Sequence, residues 1–195
     1  MFEIKFGKWE VGTRPYGLKL SETEIFSDYI TQVRYPKLAG PSYGPSGEKP
    51  PKEKPKLILD GFAFQVHLLG GYPPPDNIPE KMKQDWEILS SLKADVIEKN
   101  GNNYTIYELK QRLDVCTLGQ LLTYKWLFEE VMQYPKNTTL VAVGDFIVPG
   151  LVQPLLSAGI RIHSRSSKWS IPPDFSASTI RAKSLMISQN YPSGR

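Results

Sequence analysis

The stretch KADVIEKNGNNYTIYELK, residues 93–110, reads as a β-hairpin with acids at its open end. Gly101-Asn102 suits a two-residue type II′ turn, where glycine supplies the positive φ of the first turn position. With Asn100 and Asn103 flanking that turn, the numbers of paired residues sum to 203. A four-residue loop between Lys99 and Tyr104 gives the same register. Asp95 then stands opposite Glu108. Because strand side chains alternate, Tyr104, Ile106, Glu108 and Lys110 share one face, which runs from apolar packing into charge. Directly opposed Cβ atoms lie roughly 4.5–5.5 Å apart, and like charges there are destabilising. Two carboxylates so placed need a cation or a shared proton. Lys110, two residues along, offsets part of the repulsion, and a divalent cation would offset more.

Elements around the hairpin follow from periodicity. In SETEIFSDYITQVR, residues 21–34, Ile25, Phe26, Tyr29, Ile30 and Val33 form one helical stripe, and Ser21 with Glu24 has capping-box spacing. A strand is expected over 57–69, bent at Asp60-Gly61, and a helix over 79–92 with Pro79 near its start. Strands follow at 94–99 and 104–110, then a helix from about 115 to 133. A buried strand at 138–148, a short helix containing Pro154 and the strand GIRIHSR complete the order. One domain over residues 1–163 is expected. It is interrupted at 36–56 by a loop with six prolines, three glycines and five lysines, and followed at 164–195 by a basic tail rich in Ser and Pro.

Composition narrows the chemistry. The 195 residues carry a formal net charge of +4, compatible with a polyanionic partner without demanding one. Cys116 is the sole cysteine and His67 and His163 the only histidines, which argues against thiolate, iron–sulfur or His-rich metal sites. Oxygen ligands remain, favouring Mg2+ or Mn2+. No apolar h-region opens the chain and no uninterrupted apolar run is long enough to span a bilayer, so a cytoplasmic protein without a membrane partner is expected.

In TLGQLLTYKWLFEEV, Gln120, Tyr124, Leu127 and Val131 share one helix face. Its upper end brings an amide and a phenol close to where the chain leaves Lys110. Asp95, then Glu108-Leu109-Lys110, then Gln120-x-x-x-Tyr124 resembles the PD-(D/E)XK nuclease superfamily. The Gln-x-x-x-Tyr element resembles its RecB-like branch. The matching stretch covers about residues 93–131. Ala94 stands where that family often has proline, and Glu3-Ile4-Lys5 repeats the Glu-x-Lys spacing with no acidic strand before it.

The resemblance implies an α/β, restriction endonuclease-like fold: a mixed central sheet flanked by helices, with an αβββαβ core. It implies a metal-dependent nuclease acting on DNA, with a homodimer as one option. Asp95, Glu108 and the Leu109 backbone carbonyl would hold Mg2+ or Mn2+. Lys110 would orient the attacking water, Gln120 would hold a metal water or the nucleophile, and Tyr124 would position phosphate or support Gln120. The family often adds an acid from the first helix. At about 100° per residue Glu22 lies within the apolar stripe whereas Glu24 points away, so Glu22 is the expected third ligand. Two other readings stand beside this one. One is a catalytically inactive nucleic-acid-binding or assembly module of the same fold. The other is an unrelated α/β protein with a surface ion cluster, although such clusters add little stability.

Overall fold

In the computed structural model, which describes residues 3–36, 57–69 and 71–165, the hairpin forms in the expected register. Asn100 pairs with Asn103 and Val96 with Tyr107. Gly101 has a φ of +59° at the turn. The two strands are β3 (Leu92–Asn100) and β4 (Asn103–Leu113).

They lie at the centre of a six-stranded mixed sheet in the order β1-β2-β3-β4-β5-β6. β1 (Gly7–Glu10), β2 (Ile58–Leu68), β3 and β4 run antiparallel in succession. β4, β5 (Thr138–Ile147) and β6 (Arg161–Ser164) are parallel. Parallel neighbours need a crossover rather than a tight turn. The β4–β5 crossover is α3 (Val115–Trp126), whose last turn widens over Leu127–Val131. The β5–β6 crossover contains α4 (Val152–Ser157).

Apolar layers cover both faces of the sheet. α1 (Leu20–Tyr29) puts Ile25, Phe26 and Tyr29 onto one face, against Trp9, Phe62 and Tyr107. α3 and α4 cover the other face through Leu121, Phe128 and Leu155, against Ile97, Ile106 and Ala142. The fourth helix, α2 (Glu80–Ser90), is peripheral, with Met82, Trp86 and Leu89 exposed. Among the described residues no helix is long and apolar enough to cross a membrane.

Three sequence expectations need correction. β1 was not anticipated: GKWE is four residues long and only Trp9 is buried, too little for a period-2 signal. α1 begins one residue earlier, with Lys19 as N-cap. Glu22, not Glu24, closes the capping box by accepting the Lys19 N–H at 2.9 Å. The folded unit also runs past residue 163. Ser164 completes β6, and Arg165 bonds Asp145 at 2.6 Å and Asp28 at 2.9 Å. The rest of the expected 36–56 loop and of the tail, residues 37–56 and 166–195, lies outside the described residues.

A buried acid fastens the end of the first helical segment to the sheet. Glu98, 1% exposed, accepts two hydrogen bonds from Arg34, at 3.1 and 3.2 Å, and one each from the Tyr35 and Tyr107 hydroxyls. Removing a saturated buried acceptor strands its donors. Glu98→Ala is therefore expected to lower the unfolding free energy by roughly 2–4 kcal/mol in chemical denaturation. Tyr35→Phe should cost only about 1 kcal/mol. Equal, small effects from both would mean the network holds nothing together.

Candidate active site

The pairing of β3 with β4 reaches Val96–Tyr107 and goes no further. The next opposed positions are Asp95 and Glu108. Beyond that point β4 continues its ladder with β5 as far as Leu113–Ile147. The Asp95 side chain bridges the opening: its Oδ2 accepts the Leu109 backbone N–H at 2.8 Å. What Leu109 is seen to contribute to the site is its N–H.

The two carboxyl groups are near enough for the charge on Asp95 to shift the titration of Glu108. Glu108 is 3% exposed and its Oε2 is buried with no hydrogen-bond donor. Its Oε1 lies 3.5 Å from Lys110 Nζ. Burial, and then the Asp95 charge, push the Glu108 carboxyl up to about 8. Burial also raises Asp95, with Glu22 adding to the rise and the Leu109 N–H opposing it.

Lys110 meets the helix that follows its strand. Nζ donates to Gln120 Oε1 and lies 3.8 Å from Asp114 Oδ1. Asp114 is also the α3 N-cap, accepting the Cys116 N–H at 3.0 Å, so one carboxylate starts the helix and flanks the lysine. Gln120 Nε2 donates to the Tyr124 hydroxyl at 3.1 Å. Because lysine only donates, this network assigns the amide orientation, with Oε1 toward Lys110. The i, i+4 spacing of Gln120 and Tyr124 thus becomes a relay that positions the ammonium. Tyr124 is buried, and burial and the Glu108 charge raise its hydroxyl pKa.

Glu22, on the first turn of α1, comes within electrostatic range of Asp95. Its carboxylate also accepts the Lys19 N–H and pairs with Lys19 Nζ at 3.3 Å. Among the described residues no group of three acidic, histidine or cysteine side chains forms a ready-made metal cage. Asp95 and Glu108 are therefore the acid pair of the site.

One residue of the site was not read from sequence. Gln65, in the middle of β2, donates from Nε2 to Asp95 Oδ1 at 3.0 Å. Its φ is +48°, a left-handed conformation that costs energy in a non-glycine residue. The consequence is visible on either side of it. Phe62 packs in the α1-side core but Val66 and Leu68 in the α3-side core, although all three are even-numbered. Ala94 and Val96 on β3 switch cores in the same way. Both strands change face at the Gln65–Asp95 position.

Comparison with protein-family models, with characterised proteins and with solved structures finds no match. The functional reading therefore rests on the chemistry of the site. A buried carboxylate oxygen without a donor, with a second carboxyl nearby, suits a hard divalent cation with oxygen ligands. A cavity of about 430 Å3 lies elsewhere, beside α1, lined by Glu24, Asp28 and Arg165 among others. It contains none of these site residues.

The raised carboxyl has a defined pH signature. Between about pH 4.5 and about pH 8 the folded chain retains a proton that the unfolded chain releases, so the pair's contribution to stability falls as pH rises through that window. Glu108→Gln removes this dependence. In EDTA above about pH 8 it is expected to raise the unfolding free energy by about 1–3 kcal/mol, and to bring no gain near pH 4. Denaturation curves across the range check it; parallel pH profiles for variant and wild type would contradict the assignment.

Proposed function

We propose that this chain is a metal-dependent nuclease hydrolysing phosphodiester bonds in DNA, built on a restriction endonuclease-like αβββαβ core. The observation that carries the reading is the buried, donor-free Glu108 Oε2 held against Asp95, with Lys110 on its other oxygen.

Asp95, Glu108 and the Leu109 carbonyl would hold Mg2+ or Mn2+, with Glu22 close enough to contribute through charge or an intervening water. The chemistry such an ion supplies is polarisation of a phosphoryl oxygen and a lower pKa for bound water. Glu108, whose carboxyl is raised by burial and by Asp95, would give up its proton on serving as a ligand. Lys110 directs its ammonium at the charge that develops on the phosphate and helps orient the attacking water. Gln120 fixes Nζ, and Tyr124 fixes Gln120. Gln65 holds the second oxygen of Asp95, so the carboxylate does not rotate away from Glu108.

Incubation with linear, circular and single-stranded DNA in Mg2+, Mn2+ or EDTA tests the reading. Cleavage is expected with either metal and none in EDTA. Asp95→Asn and Lys110→Ala should each lower the rate by at least about 100-fold without unfolding the chain. Cutting at wild-type rate by both variants would sink the proposal. DNA binding with no cleavage in any divalent ion would instead favour the inactive module of the same fold.

Metal affinity should also depend on pH. Because the pair holds a proton below about pH 8, binding a cation must expel it, so Mg2+ affinity is expected to rise by up to about tenfold per pH unit toward that value and then level off. Calorimetry in buffers of different ionisation enthalpy measures the released proton directly. An affinity flat from pH 6 to 8 would remove Glu108 from the ligand set.

A further inference from the structure

The acid pair does not by itself say how a strand lies across it. The chain between β1 and α1, residues 11–19, supplies that information. Gly17, at φ +86°, packs so closely on β2 that a Cβ there would fall 2.6 Å from Gln65 Cγ. Gln65 in turn donates to Asp95. Lys19, at the end of the same loop, is bonded to Glu22, whose charge reaches Asp95. The loop is therefore packed against Gln65, the residue that holds Asp95, and its last residue is tied to Glu22.

It is also held rigid. Trp9 Nε1 donates to the Thr13 carbonyl at 3.0 Å and Arg14 Nε to the Leu18 carbonyl at 2.7 Å. Pro15 fixes its own φ immediately before Tyr16. Between these restraints Tyr16 is 97% exposed, the most exposed large apolar or aromatic side chain among the described residues. The ring contributes nothing to the core, yet the backbone that carries it is fixed one residue from the contact with Gln65. The loop has no acidic residue, and Arg14 and Lys19 flank the ring in sequence with their residues exposed.

An exposed ring on a loop that carries basic and no acidic residues is suited to stack an unpaired base beside its backbone. A base inside a duplex is already stacked on both faces and offers no free face to such a ring. We propose that Tyr16 is a base-stacking platform for single-stranded DNA passing the acid pair, with Arg14 and Lys19 following its phosphates. This assignment rests on the nuclease reading for the identity of the site, and it sharpens the substrate to a strand that is single or frayed beside the scissile bond.

The test is fluorescence anisotropy with the full chain in EDTA, using a labelled oligothymidylate and a blunt duplex of equal length. Stacking on one aromatic ring is worth about 1–3 kcal/mol, so Tyr16→Ala should weaken oligothymidylate binding by about 5- to 150-fold. Tyr16→Trp should bind at least as tightly as wild type, and duplex affinity should change by less than about twofold. An unchanged oligothymidylate affinity in Tyr16→Ala, or an equal loss on both probes, would overturn the proposal. Because EDTA removes the divalent ions, this result does not depend on cleavage. Asp95-dependent cutting that ignores Tyr16→Ala would leave the nuclease reading standing and remove only the platform.

Discussion

The β3–β4 ladder stops one position short of its two acids, and a side chain takes over from the backbone. Asp95 accepts the Leu109 N–H that a continuing strand would have bonded. The β3–β4 ladder ends there while β4 remains pinned to β5, so the two carboxyl groups stand where the backbone pairing gives out. Every other part of the site is arranged around that point. β2 turns its Gln65 toward the second oxygen of Asp95, α1 brings Glu22 within electrostatic range, and α3 starts five residues beyond Lys110 and returns Gln120 to it.

Two buried glutamates in this sheet show why burial alone does not define a site. Glu98 and Glu108 are 1% and 3% exposed. Glu98 is saturated by a guanidinium and two phenols, and the result is an anchor for the end of the first helical segment. Glu108 has an ammonium on one oxygen, another carboxyl nearby and no donor for the other oxygen. Desolvating a carboxylate is costly unless its lone pairs are matched. The fold matches them fully at one position and leaves them open at the other, three strand residues from Asp95 in one case and directly across from it in the other.

The hairpin was legible because a glycine turn fixes register locally, and register decides which side chains face each other. Gln120 and Tyr124 were legible for a similar reason, since helical spacing alone places them on one face. Gln65 was not. Its role depends on a positive φ inside a strand and on a change of face shared with β3, and period-2 reading assumes neither. β1 escaped because a four-residue edge strand with one buried side chain has almost no periodicity. The cap of α1 was misplaced because Ser21 and Glu24 have the right spacing on paper, while Glu22 meets the backbone of Lys19 and the field of Asp95 at once. From sequence Arg165 reads both as the end of the strand GIRIHSR and as part of the basic tail, and the fold decides between them by bringing Asp28 and Asp145 beside it.

Asp95 carries two tasks that the structure does not separate. As a hydrogen-bond acceptor it keeps the opened strands in register, and as a carboxylate it makes up half of the acid pair. Gln65 reconciles them. By occupying Oδ1 while the Leu109 N–H occupies Oδ2, it fixes the plane of the carboxyl group without adding charge. A lysine or arginine at that position would neutralise Asp95 and compete with a cation, whereas an apolar residue would leave the group free to rotate. The left-handed backbone at Gln65 is the strain that delivers a neutral donor from a neighbouring strand. Gly17, which leaves room only for a hydrogen where a side chain would strike Gln65, keeps the loop from displacing it. The conformational cost at residue 65 is thus tied to the orientation of Asp95, and through Asp95 to the acid pair itself.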